Sequence, residues 1–136
     1  MYVDTQILID TVEGHPVFGP LLRPLWEAVQ RSELDVVTSE LSVMETQIGP
    51  LKSGDVALGV VYDEFLRQPG VRLEPIHRDV LLEAARLRAT TKLRTPDAIH
   101  LATARCVGCA LLLTNDDGFR NVGGLPLFIL HDAVTS

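Results

Sequence analysis

Four acidic side chains stand where the surrounding sequence calls for something else. Asp4 follows the apolar pair Tyr2-Val3, and Asp116 follows Leu111-Leu112-Leu113 across Thr114-Asn115. Open α/β sheets keep their ligands outside the carboxyl ends of the strands, so Asp4 and Asp116 are expected on one rim. Glu45 is flanked by Leu41, Met44 and Ile48 at helical spacing, which predicts a carboxylate on the inward stripe of its helix. Asp97 falls in the first turn of a helix with almost no polar face. Each has an ordinary explanation of its own. Asp4 would serve as a helix N-cap, and Asp97 would complement a helix dipole. Glu45 closes a capping box in Ser42-Val43-Met44-Glu45, and Asp116 fits an Asx turn in Asn115-Asp116-Asp117-Gly118. Lone buried carboxylates are costly, and four of them in 136 residues point to a shared cation. Mg²⁺ and Mn²⁺ take hard oxygen ligands. Such an ion lowers the pKa of a bound water and screens charge growing on phosphoryl oxygens, so the matching reaction is phosphodiester hydrolysis.

The elements that must hold these groups alternate between strand and helix. A strand at Tyr2-Val3 turns at Asp4 into a helix carrying Ile7, Leu8 and Ile9. After a loop of Gly14, His15, Pro16 and Gly19-Pro20, residues 21–31 carry Leu22, Leu25, Trp26 and Val29 at helical spacing. A β-branched strand over 34–37 precedes a helix capped by Thr38 or Ser39 and ended by Gly49-Pro50. Residues 51–66 read as helical but are weakened by Gly54 and Gly59. A strand over 71–73, a long helix after Pro75, and a helix opened by Thr95 as cap and Pro96 follow, the last running to Val107 before Gly108. The apolar run 111–113 reads as a central parallel strand and 127–130 as the last strand. The pattern predicts one α/β domain over residues 1–136, with a parallel sheet flanked by helices.

Composition narrows the partners. Apolar residues make up 46% of the chain and charged residues 22%, enough core for a globule rather than a disordered segment. The net charge of −6 excludes a protein that coats nucleic acid through a general basic surface, so a polyanion must be met locally. The longest uncharged run, 11 residues from Asn121 to His131, falls short of the roughly 20 that span a bilayer. With no membrane span and no basic leader before Asp4, a cytoplasmic location is expected.

In order along the chain, Val3-Asp4-Thr5, the Glu45 helix, Thr95-Pro96-Asp97-Ala98-Ile99-His100-Leu101-Ala102-Thr103-Ala104 and Leu113-Thr114-Asn115-Asp116 resemble the signature of PIN-domain ribonucleases, especially VapC-type toxins. The resemblance covers essentially the whole chain. It implies a four- or five-stranded parallel sheet wrapped by helices, with an acidic pocket that binds Mg²⁺ or Mn²⁺ and cleaves RNA. By motif position Asp4, Glu45, Asp97 and Asp116 would be the catalytic quartet, with Asp4, Asp97 and Asp116 on the metal, and Thr5 and Thr114 ordering metal-bound water. Asp117 is the alternative to Asp116. Gln6 stands where the family often has Asn or Ser, and Gly118 where it often has a further Asp. The resemblance also implies a small VapB-like antitoxin as partner and a homodimer; a nuclease of this fold without an antitoxin, or a non-catalytic binding module, are the alternatives.

Arg86, Arg88, Lys92 and Arg94 crowd just before Asp97, and Arg120 lies next to the Asp116 turn; these are the candidates to grip an RNA backbone. Cys106 and Cys109 form a C-x-x-C at a helix end, where the dipole disfavours a thiolate, so core packing is expected. His15, His77, His100 and His131 make no hydrolase or zinc-protease motif, and His100 reads as a helix residue packed by the pocket wall. A haloacid-dehalogenase phosphatase would need Asp where Gln6 stands, and a receiver domain would need a Lys after a late strand.

Overall fold

The alternation of strand and helix becomes a five-stranded sheet in the computed structural model, which describes residues 1–135. The strands are β1 (Tyr2–Val3), β2 (Val36–Ser39), β3 (Val71–Glu74), β4 (Leu112–Thr114) and β5 (Leu127–Ile129). They lie in the order β3-β2-β1-β4-β5, and every pairing is parallel. The helices are α1 (Thr5–Val12), α2 (Phe18–Gln30), α3 (Leu41–Ser53), α4 (Val56–Arg67), α5 (Arg78–Thr90), α6 (Thr95–Val107) and the short α7 (Asp132–Thr135), with a 3-10 turn at Asp117–Phe119.

Period-two alternation along such short strands sorts their side chains onto two faces. Tyr2, Val37 and Leu112 share a core with Val80, Ala84 and Leu87 of α5 and with Leu101, Ala102 and Ala104 of α6. Val3, Val36 and Leu113 share the other core with Ile7 and Leu8 of α1, Leu22, Trp26 and Val29 of α2, and Leu66 of α4. A sheet covered on both faces explains why its strands read as apolar runs. The chain places β2 and β3 on one side of β1, then returns to add β4 and β5 on the other. The order therefore reverses between β1 and β4, and a crevice opens beyond their carboxyl ends, where Asp4 and Asp116 follow.

Several boundaries differ from the sequence expectation, each for a local reason. Helix α2 takes in Gly19-Pro20 and starts at Phe18, because the His15 Nδ1 accepts from the Val17 and Phe18 amides. Pro20 then sits in a first turn, where its missing N–H costs nothing. Strand β2 lies two residues later than expected and ends on the buried Thr38 and Ser39. Their hydroxyls are satisfied locally: Thr38 donates to the Val3 carbonyl, and Ser39 accepts from the Leu41 amide. Helix α3 passes through Gly49-Pro50 and stops at Gly54, which takes the left-handed conformation (φ 72°). Asp55 then caps α4 by accepting from the Leu58 amide at 3.0 Å. The inner face of α3 is Ser42, Thr46 and Pro50, while Met44 and Ile48 are exposed. The apolar stripe assumed for α3 is thus an outward one. Thr95 lies inside α6 rather than capping it, and Arg94 precedes the helix without a side-chain cap. Cys106 is exposed, Cys109 packs on the α5–α6 core, and burial raises both thiols. Among the described residues no helix is long and apolar enough to cross a membrane.

Candidate active site

The turn out of β1 must both stop the strand and start a helix, and Asp4 does so with its side chain. Its Oδ1 accepts from the Ile7 amide at 3.3 Å, capping α1, and its Oδ2 accepts the hydroxyl of Thr114 at the end of β4. One carboxylate thereby ties the two strands that flank the crevice. Asp4 is only 6% exposed, and burial pushes its carboxyl up to about 6; Asp97 adds to the rise, while the Thr114 hydroxyl and the Ile7 amide oppose it.

Asp116 leaves β4 two residues after Thr114. Its amide donates to Thr114 Oγ1 at 3.1 Å and its Oδ1 accepts from the Gly118 amide at 2.8 Å, so the Asx turn and the crevice position coexist. Asp97, in the first turn of α6, is half-buried; burial and then the neighbouring Asp116 raise its carboxyl, and Arg94 opposes them. Arg94 reaches both: its Nε lies 3.6 Å from Asp97 Oδ2 and a terminal nitrogen lies 3.9 Å from Asp116 Oδ2. With the arginine side chain 80% exposed, such loose pairs are worth less than about 1 kcal/mol.

Glu45 comes to the same crevice from α3. Its Oε1 accepts from Thr5 Oγ1 at 2.7 Å and from His100 Nε2 at 2.8 Å. Burial acts to raise this carboxyl, but the hydrogen bonds from His100 and Thr5 outweigh it and hold it below the usual range. The identity of the residue agrees with the sequence expectation although its reason does not, because Glu45 sits at the edge of a polar inner face and not on an apolar stripe.

Asp4, Thr5, Gln6, Glu45, Arg94, Asp97, His100, Asn115 and Asp116 line one crevice of about 640 Å³. Asp117 reaches its edge but is exposed and bound to Arg120 (2.7 Å) and His131 (3.0 Å), so Asp116 is the better placed of the two. Of the five basic candidates, Arg94 alone lines the crevice among the described residues. Arg86 pairs with Glu83, Arg88 donates to the Leu93 carbonyl, Arg120 is held by Asp117 and Asp132, and Lys92 is exposed. Thr5 and Thr114, expected to order water, spend their hydroxyls on the Glu45 and Asp4 carboxylates. Sequence reasoning missed the part played by His100. Its signal was a lone imidazole among the buried residues of α6, three positions after Asp97.

The donor set suits a hard divalent cation. It consists of carboxylate oxygens from three distant segments, and two of those carboxyls are raised because burial and like charge oppose their ionisation. Among the described residues no three acidic, imidazole or thiol groups are already gathered at chelating distance. Each carboxylate has a partner of its own: Asp4 leans on Thr114, Asp97 and Asp116 on Arg94, and Glu45 on His100. An arriving cation would replace the guanidinium as counter-charge to the two outer aspartates.

Comparison with known proteins gives the same outline. The PIN domain family model matches residues 1–125. A chain of a toxin–antitoxin complex from Klebsiella pneumoniae is 26% identical, with a TM-score of 0.69 over 91% of this chain and 93% of that one. VapBC2 from Rickettsia felis, solved bound to a DNA fragment from its promoter, contains a chain with 18% identity and a TM-score of 0.75 over 94% and 96%. VapC20 of Mycobacterium tuberculosis, described as a toxin that cleaves the sarcin-ricin loop, shows 19% identity and a TM-score of 0.74 over 91% and 95%. No curated protein sequence matches the chain.

Proposed function

The chain belongs to the PIN domain family, and on that premise we propose that it is a metal-dependent endoribonuclease, the toxin of a type II toxin–antitoxin pair. The observation that carries this reading is the convergence of Asp4, Asp97 and Asp116, with Glu45, on one crevice at the reversal point of the sheet. Asp4, Asp97 and Asp116 would hold Mg²⁺ or Mn²⁺. Bound there, such an ion would supply charge screening at the phosphoryl oxygens and a lowered water pKa. The chain's own groups do the placing. Thr114 fixes the Asp4 carboxylate from the neighbouring strand, and Thr5 fixes Glu45 from the first turn of α1. Glu45, held ionised by Thr5 and His100, would orient the attacking water by accepting a hydrogen bond from it.

Arg94 supplies the positive charge that an RNA phosphate needs in an otherwise acidic site. Arg94→Ala is expected to raise KM for RNA several-fold with a smaller change in kcat. It should also flatten the dependence of log KM on log salt by about 0.7 to 1, the loss of one phosphate contact. Steady-state cleavage of a labelled oligoribonucleotide across a salt series reads both, and an unchanged slope would remove Arg94 from the RNA path.

The partner would be a small VapB-like antitoxin, in keeping with the complexes in which the structurally similar chains were solved; the resemblance adds a second copy of the chain. The test is to express the chain alone and with the product of a short neighbouring gene, then to incubate the purified protein with RNA, with and without EDTA. Growth arrest relieved by co-expression, together with cleavage abolished by EDTA and restored by Mn²⁺, is the expected result. Cleavage indifferent to EDTA would sink the metal-dependent reading. Cleavage with no rescue by a neighbour would favour a nuclease without an antitoxin, and no cleavage at all a binding module.

A further inference from the structure

A buried chain of polar groups runs from the centre of the sheet to the crevice. Tyr2 of β1 is fully buried, and its hydroxyl lies 2.6 Å from His100 Nδ1. The two rings meet edge to face, with centroids 5.8 Å apart and planes at 66°. His100, 2% exposed on α6, sets its other nitrogen 2.8 Å from Glu45 Oε1 and 3.2 Å from Thr5 Oγ1. Thr5 is in turn 2.8 Å from Ser42 on the inner face of α3, and Ser42 is 3.0 Å from Thr38. Five elements, β1, β2, α1, α3 and α6, are thus joined through a network whose exposed end is the Glu45 carboxylate.

The donors and acceptors in this chain constrain its hydrogens. An ionised carboxylate only accepts, so the imidazole nitrogen facing Glu45 must carry a hydrogen. A neutral ring has one such hydrogen, which leaves Nδ1 as an acceptor, and the Tyr2 phenol is the donor that meets it. With Tyr2 fully buried and His100 2% exposed, water has little room to replace the phenol at Nδ1.

We propose that His100 is a positioning residue of the nuclease site: a buried Nε2–H donor, its tautomer set by Tyr2, that holds the Glu45 carboxylate against the crevice. The inference deepens the nuclease reading and rests on it for the role of Glu45. Removing a group that orients an active-site carboxylate in this way typically costs about 10- to 100-fold in activity. His100→Ala should lower kcat by that factor and leave KM for RNA near the wild-type value, since His100 itself is too buried to meet the strand. His100→Gln, whose amide nitrogen reaches the place of Nε2, should recover most of the loss. His100→Asn, whose nitrogen falls at the place of Nδ1, should not.

The tautomer is read separately, by long-range ¹⁵N–¹H correlation spectra of the metal-free full chain, with the His100 signals identified by their loss in His100→Gln. The expected pattern is hydrogen on Nε2 alone, lost or mixed with the other tautomer in Tyr2→Phe. Hydrogen on Nδ1 or on both nitrogens in the wild type, or a Gln variant that is folded by circular dichroism yet no better than the Ala variant, would overturn the proposal. Wild-type protein inert toward RNA would instead sink the nuclease reading, and the spectra would still decide whether Tyr2 and His100 orient Glu45.

Discussion

Asp97→Asn is expected to reduce RNA cleavage by more than about a hundredfold, the upper end of what losing even an outer-shell partner of a metal site costs. The substitution is nearly isosteric and sits on a half-buried first turn, so the fold should survive it. What it removes is one of the three carboxylates proposed to hold the ion in the crevice, together with the partner of Arg94 at 3.6 Å. Two readouts belong together. Single-turnover cleavage at saturating Mn²⁺ should fall by that factor, and calorimetric titration should show weaker Mn²⁺ binding, because one charged ligand has become a neutral amide. Wild-type cleavage by Asp97→Asn would exclude Asp97 from the chemistry and leave its dipole-complementing role as the explanation.

The second large effect is on stability, and its sign runs opposite to that on activity. The folded protein raises the Asp4 carboxyl from 3.8 to about 6, so it holds that proton more tightly than the unfolded chain does. The favourable contribution is complete below pH 3.8 and is lost as pH climbs through about 6, where a charge must form in a buried place. Asn at this position has no charge to bury and still caps α1. Asp4→Asn, in EDTA, should therefore gain stability over the wild type as pH rises from 4 to 7.5, by on the order of 3 kcal/mol for a shift of about two pH units. Urea unfolding at the two pH values measures the difference, and all other titrating groups are common to both proteins. A gap between variant and wild type that stays constant over this range would mean that Asp4 ionises freely in the fold. The same variant should be inactive on RNA, so that the site carboxylate costs stability and supplies function.

Much of this site was legible in the chain, for reasons that are local. Asp4 and Asp116 were placed together because each follows a short apolar run, and parallel strands deliver their carboxyl ends to one rim. Asp97 was placed by the proline at the start of α6 and by the apolar residues that follow it. Glu45 was reached through a stripe that faces outward in the structure. Its helix packs a polar inner face against Thr5 and Thr38, so hydrophobic periodicity named the buried side of α3 incorrectly. Gly49-Pro50 looked like a stop, but Gly54 in the left-handed conformation and the Asp55 cap are what separate α3 from α4.

The basic residues show where sequence spacing runs out. Arg86, Arg88, Lys92 and Arg94 are close along the chain, yet Arg94 alone among them lines the crevice, because Arg86 and Arg88 lie back on α5, bound to Glu83 and the Leu93 carbonyl, and Lys92 is exposed in the turn. His100 is the converse case. It lay inside the motif, but its value depends on Tyr2, 98 residues away, and on Glu45, 55 residues away.

From the sequence by itself came the alternation of strands and helices, the parallel sheet and the four acidic positions, Glu45 for a reason the structure reverses, because caps, turns and periodicity are written within a few residues of where they act. Tertiary structure alone decided which face of α3 is inward, which arginine meets the acids, and that a tyrosine and a histidine orient Glu45. Those outcomes depend on groups that come within 4 Å only after β1, α3, β4 and the first turn of α6 have converged: Tyr2 with His100, His100 with Glu45, and Arg94 with Asp116. No stretch of the chain read on its own contains both members of such a pair.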